Sequence, residues 1–343
     1  MRFGLLFAHQ VPPESGIASS ETYRDMLRCL PRAEELGYVS AFQCSHHIQK
    51  DGFCPGPLVA MAGAAAVTER MRIGTAVLLV PLYAPLKLAE DVAVIDNLSG
   101  GRFVFGVAPG YVTQEFAAHG VPREERVGRF EEALDLMIQA WSGEPFSFEG
   151  RYYRVPEGRV TPKPVQRPHP PIWYGVSAPG SLRRAAARRS VQIMSPRHGL
   201  AELQDHFKPY EAAAAAAGWE IPERPIIRQV FVAPTTAEAE AKAAPAVDYL
   251  YRELYGAASA AGDRVLRRDD GSVIDDPTEV AFATFKDRYI IGDPDFAIAR
   301  IRDYQAACNP SEMICWMHMP GIPGADAMAS AELFASEVMP HFR

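Results

Sequence analysis

Cysteine is scarce in this chain: five residues, an odd number widely scattered over 343 positions. That excludes a disulfide framework and points to reduced thiols. No apolar run reaches the length of about 18 residues that a membrane-spanning helix needs, so no span is expected. The opening "MRFGLLFAHQ" has neither the apolar length nor the small-residue cleavage site of a secretory signal, which leaves a cytoplasmic protein as the expectation. Excess positive charge is also missing. Lysine and arginine number 35 against 42 acids, for a net charge of −7. Short pairs such as Arg183-Arg184 and Arg267-Arg268 sit beside acids or alanines and read as solvated faces, so no nucleic-acid footprint is present. Phosphate-binding fingerprints are absent too: no G-x-G-x-x-G opens a helix after the first strand, and no G-x-x-x-x-G-K-[ST] occurs. A dinucleotide bound in the Rossmann manner is therefore not expected.

The pattern that is present alternates short apolar runs with helical periodicity. The runs are "RFGLLFA" (2–8), "YVSAFQ" (38–43), "RIGTAVLLV" (72–80), "RFVFGVA" (102–108), "PPIWYGV" (170–176), "VQIMS" (191–195), "PIIRQVFVA" (225–233) and "EMICWMHM" (312–319). Each is followed by a helical stretch, and the runs are continuously apolar, as strands covered on both faces must be. "FSFEGRYYRV" reads as a hairpin turning at Glu149-Gly150. Eight sequential strand–helix units predict a single α/β domain over 1–343, a (β/α)8 TIM barrel with its function at the C-terminal strand ends. A doubly wound open sheet is the competing closure. Residues 256–280 are polar and irregular, longer than an ordinary connection, and form a candidate lid.

The stretch "QCSHHIQKDGFC" (43–54) poses the question of a metal. Cys44, His46, His47 and Cys54 lack paired zinc-ligand spacing. Adjacent His46 and His47 on extended backbone point in opposite directions, so both cannot easily serve one ion. No H-E-x-x-H supports a catalytic metal, and none is expected. The simpler reading has one histidine facing the barrel mouth and the other packing outward. At the end of the fifth run, "YGVSAPGSLRR" offers Ser177, Ser181 and a helix N-terminus, suited either to a phosphate or to simple capping.

Taken together, "GTAVLLVPLYAPLKLAEDVAVIDNLSGGRFVFGVAPGY" (74–111), "RFEEALDLMIQAWSG", "HPPIWYGVSAPGSLRRAA", the "HH" after the second run and "LFASEVMPHF" resemble the bacterial luciferase-like flavin monooxygenases over nearly the whole chain. The resemblance implies reduced FMN as co-substrate, supplied by a separate NAD(P)H:flavin reductase. It implies O2 as oxidant through a C4a-(hydro)peroxyflavin, and a small, largely apolar substrate that is hydroxylated or undergoes Baeyer–Villiger or aldehyde oxidation. It places a non-prolyl cis peptide at Ala76–Val77. Ala108 falls beneath the flavin, where luciferase has cysteine, Tyr111 lies beside it, and Ser177, Ala178 and Ser181 lie at its phosphate. The family's phosphate-directed arginine after strand four is Pro109 here, which leaves Arg183, Arg184 or Arg197 to replace it. The catalytic histidine of the family falls on His46, with Ser45 where a glutamate usually precedes it. Phe7, His9, Phe53, Trp316 and His318, all near strand ends, are the candidate substrate contacts. Helices 58–68 and 86–98 are implied as a homodimer interface. An F420-dependent hydride transferase on the same barrel, or a non-catalytic flavin-binding protein, is the alternative.

Overall fold

The computed structural model describes residues 1–263, 265–268, 272–276 and 280–342. Of the anticipated lid, residues 264, 269–271 and 277–279 lie outside the described residues.

Twelve strands occur among them: β1 (Arg2–Phe7), β2 (Ser40–Gln43), β3 (Arg72–Thr75), β4 (Leu78–Leu79), β5 (Phe103–Ala108), β6 (Phe146–Glu149), β7 (Arg154–Gly158), β8 (Ile172–Tyr174), β9 (Val191–Gln192), β10 (Pro225–Val232), β11 (Ile290–Gly292) and β12 (Glu312–Trp316). The parallel order is β10-β12-β1-β2-β3-β5-β8-β9. A bridge between Met194 and Ile226 joins β9 back to β10 and closes the ring, with Met194 N donating to Pro225 O and Ile227 N to Met194 O. All eight barrel strands fall on the apolar runs. The antiparallel pair β6–β7 is the expected hairpin.

Two details differ from the pattern. The run 72–80 is not one strand: it breaks at a cis Ala76–Val77 peptide, after which β4 pairs with β5. The short β11, unmarked by any clear periodicity, adds to the C-terminal half of β10.

Helices between strands cover the barrel: α1 (Ser19–Leu36), α2 (Pro57–Val67), α3 (Pro85–Leu98), α4 (Thr113–Ala118), α5 (Arg126–Ala140), α6 (Pro179–Ala187), α7 (Leu200–Ala216), α8 (Thr236–Leu250), α9 (Ala257–Ala260), α10 (Pro294–Cys308) and α11 (Gly324–Leu333). Their ends follow local chemistry. Gly37, at φ 97°, terminates α1 in the left-handed region. The Asp293 carboxylate accepts from Phe296 N at 2.9 Å and caps α10.

Period-two alternation divides the apolar residues into two layers. Leu5, Phe7, Phe103, Phe105, Met313 and Cys315 face the helices. Leu6, Ala8, Val104, Ile227, Ile314 and Trp316 face the barrel axis. The axis is filled by Phe42 stacked on Trp173 at 5.1 Å. Both are fully buried, each contributing about 2–3 kcal/mol by burial. Gly106 is required beside them, because a Cβ there would lie 1.8 Å from the Thr75 carbonyl oxygen. Below this plug, Glu312 accepts from Ser40 and Arg72, and the Arg72 guanidinium lies over Trp173 at 5.3 Å. The N-terminal end is thus closed by packing and ion pairs, and the open space lies at the C-terminal end.

Candidate active site

A cavity of about 340 Å³ opens at that rim. It is lined by residues from most of the barrel strands and the loops after them. Ala76, Val77, Ala108, Tyr111, Ser177, Ala178 and Ser181, the positions implied for a flavin, all line it, as does His46. Of the five candidate substrate contacts, Phe53 and Trp316 line it as well.

Phe7, His9 and His318 do not line it. Phe7 follows Leu6 on β1, and alternation turns it out toward the helices. His9 follows the strand in a left-handed conformation, φ 60°, and stacks on Tyr23 at 3.9 Å. Its Nδ1 lies 3.2 Å from Thr22 Oγ1, whose own proton goes to Ser19 O, so Nδ1 is the donor. Burial, aided by nearby His318, pushes the His9 pKa down to about 3. His318 sits in a narrow crevice with Asp25 and Cys29 of α1, and burial lowers its pKa also.

The two adjacent histidines diverge as their backbone requires. His46 turns to the cavity, with its ring edge-on to Phe53 at 4.9 Å and to Tyr111 at 5.8 Å. His47 packs outward near Tyr83 and His119, and burial lowers its pKa. Both engage one carboxylate that the sequence did not reveal. Glu115 of α4, fully buried, places Oε1 2.8 Å from His46 Nδ1 and accepts the His47 backbone N–H at 2.7 Å. Ser45 donates to Val77 O at 3.0 Å and so holds the backbone beside the cis bond. Among the described residues, no three histidine, cysteine, aspartate or glutamate side chains gather in a metal-binding arrangement.

The lining has two chemical characters. Its polar part comprises Ser177, Ser181 at the start of α6, Arg197 and Arg126. Arg126 was not expected; burial, with neighbouring Arg123, lowers its pKa. Arg184 does not line the cavity; it pairs with Glu131 at 2.8 Å and donates to Ser181 Oγ at 3.0 Å, and Arg183 is exposed. Of the three arginines considered in place of Pro109, only Arg197 lines the cavity. Its apolar part comprises Leu6, Phe53, Ile193, Ile227, Leu254 and Trp316. Leu254 and Tyr255 reach the cavity because the helical path after α8 loosens into a π-helix at Tyr251–Gly256, which changes the phase of the exposed face.

The described residues of the anticipated lid are more regular than their composition suggests. Arg267 and Val273 form an antiparallel bridge, and Leu266 and Ile274 are buried in the same cluster as Trp316. Asp263 accepts from Thr113 N at 2.9 Å, also receives the Thr113 hydroxyl, and lies 3.4 Å from Arg123 Nη2, which fixes this segment to the start of α4.

Comparison with known proteins agrees with this architecture. The family model for luciferase-like monooxygenases matches residues 1–308. The oxygenase component of the flavin-dependent trigonelline monooxygenase of Acinetobacter baylyi is 26% identical, over 100% of this chain and 96% of its own. The crystal structure of monooxygenase RslO1 from Streptomyces bottropensis superposes with a TM-score of 0.87 at 27% identity, covering 100% of both chains. The oxygenating constituent of 3,6-diketocamphane monooxygenase from Pseudomonas putida, solved with FMN, shares the fold at 22% identity and a TM-score of 0.83, over 100% of this chain and 99% of that one. The chain belongs to the luciferase-like monooxygenase family.

Proposed function

We propose that this chain is the oxygenase component of a two-component system, taking reduced FMN from a separate NAD(P)H:flavin reductase and using O2 to oxygenate a small, neutral, largely apolar substrate. The observation that carries the reading is that one 340 Å³ cavity is lined by Arg126, Arg197, Ser177 and Ser181, by apolar Leu6, Phe53, Ile227 and Trp316, and by His46.

The lining fits a flavin mononucleotide. Arg126, Arg197, Ser177, Ser181 and the α6 N-terminus suit a phosphate. Ala76 and Ala108, small side chains in the lining, leave room for a planar ring, and Gly175 lets Val77 pack close, since a Cβ there would lie 2.8 Å from Val77 Cγ1. Reduced FMN, when bound, supplies the electrons that activate O2. The protein's own part is to orient, dry and protonate. Leu6, Phe53, Leu254 and Trp316 of the lining exclude water. His46 holds or releases a proton there. With the lining arginines taken by the phosphate, a charged substrate group against Leu6, Phe53 and Trp316 would be desolvated at a cost of several kcal/mol, so the proposed substrate is neutral. Hydroxylation and Baeyer–Villiger or aldehyde oxidation are the reactions in view.

We also propose a homodimer through α2 and α3, where Val59 is 79% exposed, Leu98 60% and Val94 44%.

The test is O2 uptake with supplied FMNH2 across a panel of neutral terpenes, ketones and aldehydes, with anionic and cationic analogues as controls. Coupled uptake with neutral members supports the reading. Tight F420 binding with oxygen-independent turnover would move the assignment to a hydride transferase, and flavin binding without any turnover would leave a carrier.

A further inference from the structure

The reading of His46 as a proton-handling group leaves open which ring nitrogen faces the cavity, and the inference below rests on that reading. Glu115 Oε1 accepts the backbone N–H of His47 at 2.7 Å. A backbone amide can only donate, so that oxygen acts as an acceptor toward it. The same oxygen lies 2.8 Å from His46 Nδ1. With Oε1 accepting from both groups, as the oxygen of an ionised carboxylate does, Nδ1 carries the hydrogen. Nε2 is then the ring nitrogen left to the cavity.

We propose that Glu115 is a positioning residue for His46. It locks the imidazole in the Nδ1–H form and turns the Nε2 lone pair toward the cavity. The role falls to α4 because Ser45, adjacent in the chain, is committed to the Val77 carbonyl. Three further observations support it. Glu115 is fully buried, and its Oε2 has no hydrogen-bond partner among the described residues, a cost that packing alone does not repay. Its helix is held from both sides: Asp263 binds the first residue, Thr113, and Phe116 is buried against Gly110. The His46 ring is also held edge-on by Phe53 and Tyr111, so a fixed tautomer translates into a fixed direction for Nε2. The histidine–carboxylate pair is thus assembled from two elements far apart in sequence.

The experiment is heteronuclear NMR of the full chain labelled with 15N-histidine, without flavin, with the His46 signals assigned through His46→Gln. The neutral ring of the wild type is expected as the Nδ1–H tautomer. Glu115→Ala should release it to the Nε2–H form or to a mixture. Glu115→Gln, whose side-chain oxygen still accepts, should restore Nδ1–H and guards against a merely unfolded alanine variant. With reduced flavin supplied, Glu115→Ala should lower coupled product formation by about a hundredfold, with FMN affinity nearly unchanged. An Nε2–H ring in the wild type, or identical His46 signals in a folded Glu115→Ala protein, overturns the proposal. The NMR result does not depend on oxygenation, so a locked tautomer in a protein that oxygenates nothing would sink the proposed function and leave this inference standing.

Discussion

Acid should destabilise this protein through His9, by an amount the structure fixes. A histidine in a water-filled substrate pocket would titrate near 6.5 and contribute no slope of stability with pH. His9 instead lies in the wall, and burial brings its pKa from 6.5 to about 3. Between those values the unfolded chain binds a proton at this ring and the folded chain does not. Stability therefore falls as pH drops below 6.5 and continues to fall until about pH 3. At 1.36 kcal/mol per pH unit, going from pH 6.5 to pH 5 costs about 2 kcal/mol from this residue. Other carboxylates and histidines add their own slopes, so the comparison is with His9→Asn, which tolerates the left-handed backbone and cannot titrate. The variant loses the Tyr23 stack and should be less stable at pH 7, yet lose about 2 kcal/mol less on going to pH 5. Urea unfolding at the two pH values, followed by tryptophan fluorescence, measures both. Equal pH losses in the two proteins would refute the placement of His9 in a dry wall.

Three other outcomes follow from the same geometry. Arg126→Ala and Arg197→Ala should each weaken FMN binding about tenfold while leaving riboflavin, which has no phosphate, nearly unaffected; flavin fluorescence titration reads this. Trp316→Ala should cost about 3 kcal/mol of stability in denaturant unfolding and lower KM for substrates bulkier than those the wild type prefers. Leu98→Glu should raise the dimer dissociation constant at least about tenfold in sedimentation velocity, and a wild type that is monomeric at micromolar concentration would remove the proposed interface.

The barrel was legible because its strands are buried on both faces and so stand out as apolar runs. β11, three residues long, lacks the length for such a signal. The cis bond within 72–80 entered through the family likeness of that block; nothing in the apolar run itself marks the break. Of the residues that line the cavity, those adjacent to strand ends were legible in the sequence and those delivered by other routes were not. Glu115 sits on a six-residue helix with no apolar period. Leu254 and Tyr255 reach the cavity only through a π-helix that no periodicity reports. Arg126 opens α5, whose amphipathic pattern describes its buried face and says nothing of its first turn. Phe7, His9 and His318 were placed too generously, because lying near a strand end does not settle which side of the sheet a side chain takes. For Phe7 one residue of parity decided the matter.

The most direct test of the whole account is a stopped-flow measurement. Protein loaded anaerobically with FMNH2 is mixed with oxygenated buffer, with and without substrate, and flavin absorbance is followed while H2O2 is assayed at the end. A protected site predicts reoxidation slower than that of free FMNH2 by about tenfold or more, and little H2O2 when a neutral apolar substrate is present. Reoxidation at the rate of free flavin, with H2O2 formed in full whatever substrate is added, would contradict it.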